Sequence, residues 1–176
     1  MGVMLRKLEN RRRWDKVEFP WLGQCEIPAD PIADLKTVQN NLSVYYIKED
    51  RSNLFDVIEA IAATRDCSDR FDYILFDQEV CSELKIKVEN TRGQTPNQEV
   101  NKKWHRDLTQ ISADKLLELA KVIYEKGETN RKLEKEIIKM LVRASLDGKI
   151  PIKDIKPQLR QKIMSTPLWN DYSSSQ

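Results

Sequence analysis

Leu42-Ser43-Val44-Tyr45-Tyr46-Ile47, closed by Lys48-Glu49-Asp50-Arg51 and followed by Ser52-Asn53-Leu54-Phe55-Asp56-Val57-Ile58, is the stretch that decides the fold class. Its first six residues are rich in β-branched and aromatic side chains and have the length of a buried strand. Beyond Ser52, residues Leu54, Val57, Ile58, Ile61 and Ala62 recur at three- and four-residue spacing, which predicts an amphipathic helix capped by Ser52 and running to about Thr64. A strand leading into a helix of this kind places the chain in the α+β class.

Toward the C-terminus, Phe71 to Phe76 reads as a second strand, although Asp77 to Ser82 would serve equally to extend a helix backward through it. Leu84, Ile86 and Val88 alternate with Glu83, Lys85, Lys87 and Glu89, the period of a half-buried strand with one wet face, and Asn90 to Asn97 closes it as a loop. From about Gln98 the pattern is helical. Ser112 is the expected cap of a helix bearing Leu116, Leu119, Ala120 and Ile123 on one face, with Asp114 in the first turn and Gly127 ending it in a left-handed conformation. A helix over about 130–146 carries two apolar stripes before Gly148 stops it. A last helix passes through Ile152, Ile155, Leu159 and Ile163, with Pro157 as a kink or a first turn, ahead of a frayed tail over 172–176.

Toward the N-terminus the signals are weaker. Residues 3–13 suggest a short helix whose type stays open, and Pro20, Gly23, Pro28 and Pro31 mark an extended connection with Trp14 and Trp21 as packing anchors. Asp30-Pro31 predicts a capped short helix to about Val38. The whole is a helix-rich α+β chain with a small sheet region at about 42–90 followed by a C-terminal helical region. One domain over 1–176 is expected, with a subdivision into an α/β part (1–95) and a helical part (96–168) as the alternative.

Composition bounds the setting. No run of about 18 apolar residues occurs and the N-terminal stretch lacks a signal-type apolar core, so a soluble protein with no membrane partner is expected. Arg6 stands where N-myristoylation of Gly2 needs Ser or Thr. Three cysteines, Cys25, Cys67 and Cys81, without a C-x-x-C pair argue for the cytoplasm and for roles as small buried side chains. The net charge of +2 hides a polarity: residues 48–83 hold four basic side chains against ten acidic, a balance of −6, and residues 131–162 hold ten basic against four acidic, a balance of +6.

Few residues point to chemistry. Glu83-Leu84-Lys85 on a strand, joined by Asp72 or Asp77 from a neighbouring strand, would give a metal-dependent nuclease its carboxylates and its lysine, but a solvated strand face accounts for the same alternation. His105, the lone histidine, would need a carboxylate from elsewhere to act as a general base; packing beside Trp104 is the simpler role. The five scattered glycines build no phosphate-binding loop, and no cofactor or resident metal is expected.

Arg11, Arg12 and Arg13 together with Lys132, Lys135, Lys139 and Arg143 would track the phosphates of a nucleic acid, although a pI of about 8.3 is low for that role and the helical set also suits an ordinary solvated face. The leading expectation is a non-enzymatic interaction or regulatory protein. It would meet a protein partner, or a second copy of itself, through oppositely charged surfaces, with Trp169 as an apolar anchor near the C-terminal tail. Nucleic-acid binding and the nuclease remain the alternatives.

Overall fold

The computed structural model describes residues 2–23, 26–67 and 69–173, without the side chains of Tyr172 and Ser173. In chain order its regular elements are β1 (Val3–Leu8), β2 (Leu42–Ile47), α1 (Leu54–Ala62), β3 (Arg70–Asp77), α2 (Glu79–Glu83), β4 (Lys87–Asn90), α3 (Gln98–Lys103), β5 (His105–Thr109), α4 (Ala113–Lys126), β6 (Glu128–Leu133), α5 (Glu134–Leu146), α6 (Pro157–Met164) and α7 (Pro167–Ser173). Short 3-10 turns lie at Arg11–Trp14, Asp30–Asp34 and Ile152–Asp154.

The strands form one antiparallel sheet in the order β4-β5-β2-β1-β3-β6. Successive side chains leave a strand on opposite faces, and here both faces are covered. One core holds Leu5, Ile47, Phe71, Tyr73 and Leu75 beneath α1, α5 and α6. The other holds Met4, Leu8, Leu42, Val44, Ile74, Phe76 and Leu108 against α2, α4 and Trp14. The fold is therefore a mixed α+β sandwich with its sheet in the middle layer.

Two-sided burial explains why β1 escapes its sequence pattern. Met4 and Leu5 are both fully buried, on opposite faces, so the alternation expected of a strand disappears and the segment resembles the start of a helix. Residues 3–13 form a strand and a 3-10 turn rather than a helix. The sheet is also wider than 42–90: β1, β5 and β6 lie outside that range, and its strands come from both sides of residue 95. Residues 83–89 do not form a single strand, since Glu83 ends α2, Lys85 sits in a left-handed turn at φ 51°, and β4 starts only at Lys87.

Local chemistry corrects other details. The first helix is preceded by Asn53 rather than Ser52; the Asn53 side chain instead accepts from Lys48 N–H at 2.9 Å and donates to Tyr46 C=O at 3.0 Å, tying the turn to β2. The Asp30 segment is a single 3-10 turn that ends at Asp34, well short of Val38. Trp14 is buried, but Trp21 is 70% exposed, with its ring 5.4 Å from that of Phe19. Ser112 does cap α4, accepting from Lys115 N–H at 3.3 Å.

Gly127 follows α4 at φ −69°, outside the left-handed region, so space is what demands a glycine there. A Cβ would come within 2.5 Å of Ile123 C=O and 2.8 Å of the Ile74 side chain. Gly148 after α5, at φ 71°, is the glycine that uses left-handed freedom. Pro157 occupies the first turn of α6. Cys67 is exposed rather than buried as expected, and the expected burial of Cys25 and the last residues of the expected tail, 174–176, lie outside the described residues. No helix among the described residues is long and apolar enough to cross a membrane.

Candidate functional site

The charge polarity of the sequence is partly consumed inside the fold. Lys149 pairs with Asp56 at 2.7 Å, Lys156 with Asp66 at 3.8 Å and Arg131 with Asp72 at 2.6 Å, each joining the basic 131–162 segment to the acidic 48–83 segment. Only the last of these engages a buried group. Asp72 is 2% exposed, receives two guanidinium bonds from Arg131 at 2.6 and 2.9 Å, and accepts Arg11 N–H at 3.0 Å. These charge-assisted bonds hold its carboxyl below the ordinary range although burial opposes them.

Asp72 is thus committed to structure, and the geometry assumed for the nuclease is not met. Asp77, five residues along β3 and about 17 Å away by strand rise, accepts Glu79 N–H at 3.0 Å at the start of α2. Glu83 and Lys85 flank a turn instead of sharing a strand face. Among the described residues no group of three His, Cys, Asp or Glu side chains could hold a metal ion. His105 opens β5 instead of a helix. It is buried against the edge of Tyr45 with Nδ1 2.9 Å from Thr91 Oγ1, and its burial lowers its pKa and favours the neutral ring. Burial pushes the Cys81 thiol up to about 11, which leaves it unreactive.

The basic residues that the sequence suggests for partner binding fall into two groups on opposite faces of the sheet. Arg11, Arg12 and Arg13 form the 3-10 turn that ends in Trp14, on the α4 side. Arg13 is engaged by Glu9 and Asp34 there. Lys132 is on β6 rather than on a helix, and its ammonium lies 5.6 Å from the ring of Phe55 in α1, on the other face. Lys135, Lys139 and Arg143 follow at four-residue intervals on the exposed side of α5. A phosphate backbone touching every one of these would have to wrap around the β6 edge.

Beside Lys135 and Lys139 lies a groove of about 580 Å³ between α5 and the α6–α7 corner. Ile138, Val142, Pro167 and Leu168 give it an apolar floor, and Lys135, Lys139, Lys162, Glu134 and Thr166 form its rim. The corner is fixed locally: Thr166 Oγ1 donates to Ile163 C=O at 2.8 Å and accepts Trp169 N–H at 3.3 Å. Trp169 is half-buried and packs on the core beneath α5, so the side chain of this corner that the groove displays is Leu168, 46% exposed. Sequence reasoning singles out the tryptophan and misses its neighbour; only the helical phase of α7 tells the two apart.

Rim electrostatics are one-sided. Lys162 pairs with Glu134 across the groove, whereas Lys135 and Lys139 have no counter-ion among the described residues. Arg143 continues the same exposed stripe one turn on. The groove is therefore apolar below and positively charged along one lip. No protein-family model, no curated protein and no solved structure matches the chain.

Proposed function

We propose that this chain is a protein-interaction module that takes an acidic amphipathic segment of a partner protein into the groove between α5 and the α6–α7 corner. The observation that carries the proposal is the pairing of an apolar floor, Ile138, Val142 and Leu168, with a rim whose two uncompensated charges are both lysines. Burying one leucine or phenylalanine of the partner in such a floor contributes about 2 kcal/mol. The lysines set orientation and association rate more than affinity. An amphipathic helix with apolar residues at i, i+3 or i+4 and i+7, flanked by carboxylates, meets both requirements.

The experiment titrates the full chain with a fluorescein-labelled amphipathic peptide bearing leucines at that spacing and glutamates beside them. Its lysine counterpart and a labelled single-stranded oligonucleotide are run in parallel. The acidic peptide is expected to bind and to move the methyl resonances of Ile138, Val142 and Leu168. The double reversal Lys135→Glu with Lys139→Glu is expected to weaken it about tenfold. Preference for the lysine peptide, binding of the oligonucleotide alone, or binding that leaves the groove methyls unmoved would each overturn the proposal.

A further inference from the structure

A second cavity, of about 590 Å³, lies between α1, α3 and the loop that follows α5. Its apolar walls include Val100, Trp104 and Pro151, and its charges come from three segments: Asp56 of α1, Lys149 and Asp154 after α5, and the pair Glu99 and Lys103 of α3 at its rim. Glu99 and Lys103 are salt-bridged one turn apart on α3 and cancel. Lys149 sits 2.7 Å from Asp56, and Asp154 has no side-chain partner among the described residues.

Behind the Asp56–Lys149 pair stands a further carboxylate. Glu59, one turn on from Asp56 in α1, is 8% exposed, has no hydrogen-bond partner for Oε2, and is within electrostatic reach of both Asp56 and Lys149. Asp56 and Glu59 therefore share a single ammonium, and Asp154 adds to the cavity wall a carboxylate unpaired among the described residues. The aromatic wall already tolerates positive charge: the Lys48 ammonium lies 5.3 Å from the Trp104 ring centre, and the ring stacks on Tyr46 at 6.2 Å.

We propose that this cavity binds a small organic cation, an ammonium or guanidinium carried on an apolar or aromatic body. The body packs on Trp104, Val100 and Pro151, and the cation faces Asp154 and Asp56. As the ligand takes Asp56, Lys149 turns to the free oxygen of Glu59 and favours the ionised form of that carboxyl. A bare metal ion does not fit, because no three metal-ligating side chains among the described residues converge.

The test follows the Trp104 indole N–H and the Gly148 amide by two-dimensional NMR of the full chain. Three probes share one body: phenethylamine, 3-phenylpropionate and phenethyl alcohol. Phenethylamine is expected to shift both signals saturably with a Kd of about 1 mM or tighter, and the other two to bind at least about fivefold more weakly. Asp154→Asn, at an exposed site, is expected to weaken phenethylamine about threefold or more and to leave the alcohol unchanged. Equal binding of all three probes, an Asp154→Asn variant that binds phenethylamine as the parent does, or no shift up to about 10 mM phenethylamine would overturn the proposal.

Discussion

Replacing Glu59 by glutamine should change how stability depends on pH. Burial pushes the Glu59 carboxyl from an ordinary 4.5 up to about 7, because Asp56 and Asp147 add to the desolvation and Lys149 and Arg143 offset it only in part. The folded chain therefore keeps this proton up to about 7, while the unfolded chain releases it near 4.5. Between those values the native state binds more protons, so stability falls as pH rises through the window and stays lower above it.

The whole gap corresponds to about 3 kcal/mol, of which about 2 lies between pH 5.5 and 8. Water around the exposed neighbours Asp147 and Lys149 screens part of this, leaving an expected loss of about 1 to 2 kcal/mol, or about 3 to 6 °C in Tm. His105 works in the opposite sense: its lowered pKa adds stability as pH rises toward 6.5. It is present in both proteins and cancels in the difference. The carboxylates held below their ordinary values, Asp72, Glu128 and Glu136 among them, lose their contribution only as pH falls through those depressed values, below the window.

The assay is urea unfolding of the parent and of Glu59→Gln at several pH values from 5.5 to 8, compared as a difference at each pH. The glutamine variant should gain on the parent by about 1 to 2 kcal/mol across the range, whatever constant offset its amide introduces. Parallel pH curves would mean that Glu59 ionises in the fold as easily as in water, and the account of its burial would fail.

Two further outcomes follow from the packing. Asp72→Asn strands the Arg131 guanidinium beside a neutral amide and weakens the bond to Arg11 N–H, and should cost about 3 kcal/mol in urea unfolding at pH 7; a loss under about 1 kcal/mol would show that this pair is solvated. Gly127→Ala places a methyl 2.5 Å from Ile123 C=O and 2.8 Å from the Ile74 side chain, and should lower stability by about 2 kcal/mol; a neutral or stabilising alanine would show that the α4–β6 junction relaxes freely.

What the sequence reveals of the fold depends on whether an element writes its burial into side-chain type. Strands β2 and β3 and helices α1 and α4 do so, as do the stops at Gly148 and Pro157. Strand β6, Glu-Thr-Asn-Arg-Lys-Leu, does not: it is a polar edge strand held by its backbone ladder to β3, so nothing in its composition separates it from the helix that follows. Leu133 at its end also fits the stripe of α5, which draws the expected helix start back to 130. The lysines of the groove are legible because they sit at helical spacing on one element. The second cavity is not, because Asp56, Trp104 and Asp154 meet only through the tertiary fold.

The position of β1 has a consequence for how the sheet comes apart. Met4 pairs with Tyr46 on one side and with Phe76 on the other, and β2 and β3 share no backbone bond of their own. Among the described residues, one six-residue strand is therefore the backbone seam of the sheet between the wing β2-β5-β4 and the wing β3-β6. Neither wing can detach by fraying from its edge inward; it leaves only if the seam opens, which exposes both cores together. Closing that seam brings residues 3–8 to partners that end at Ile47 and Asp77, so the two wings join through contacts distant in sequence, the kind of pairing that slows folding.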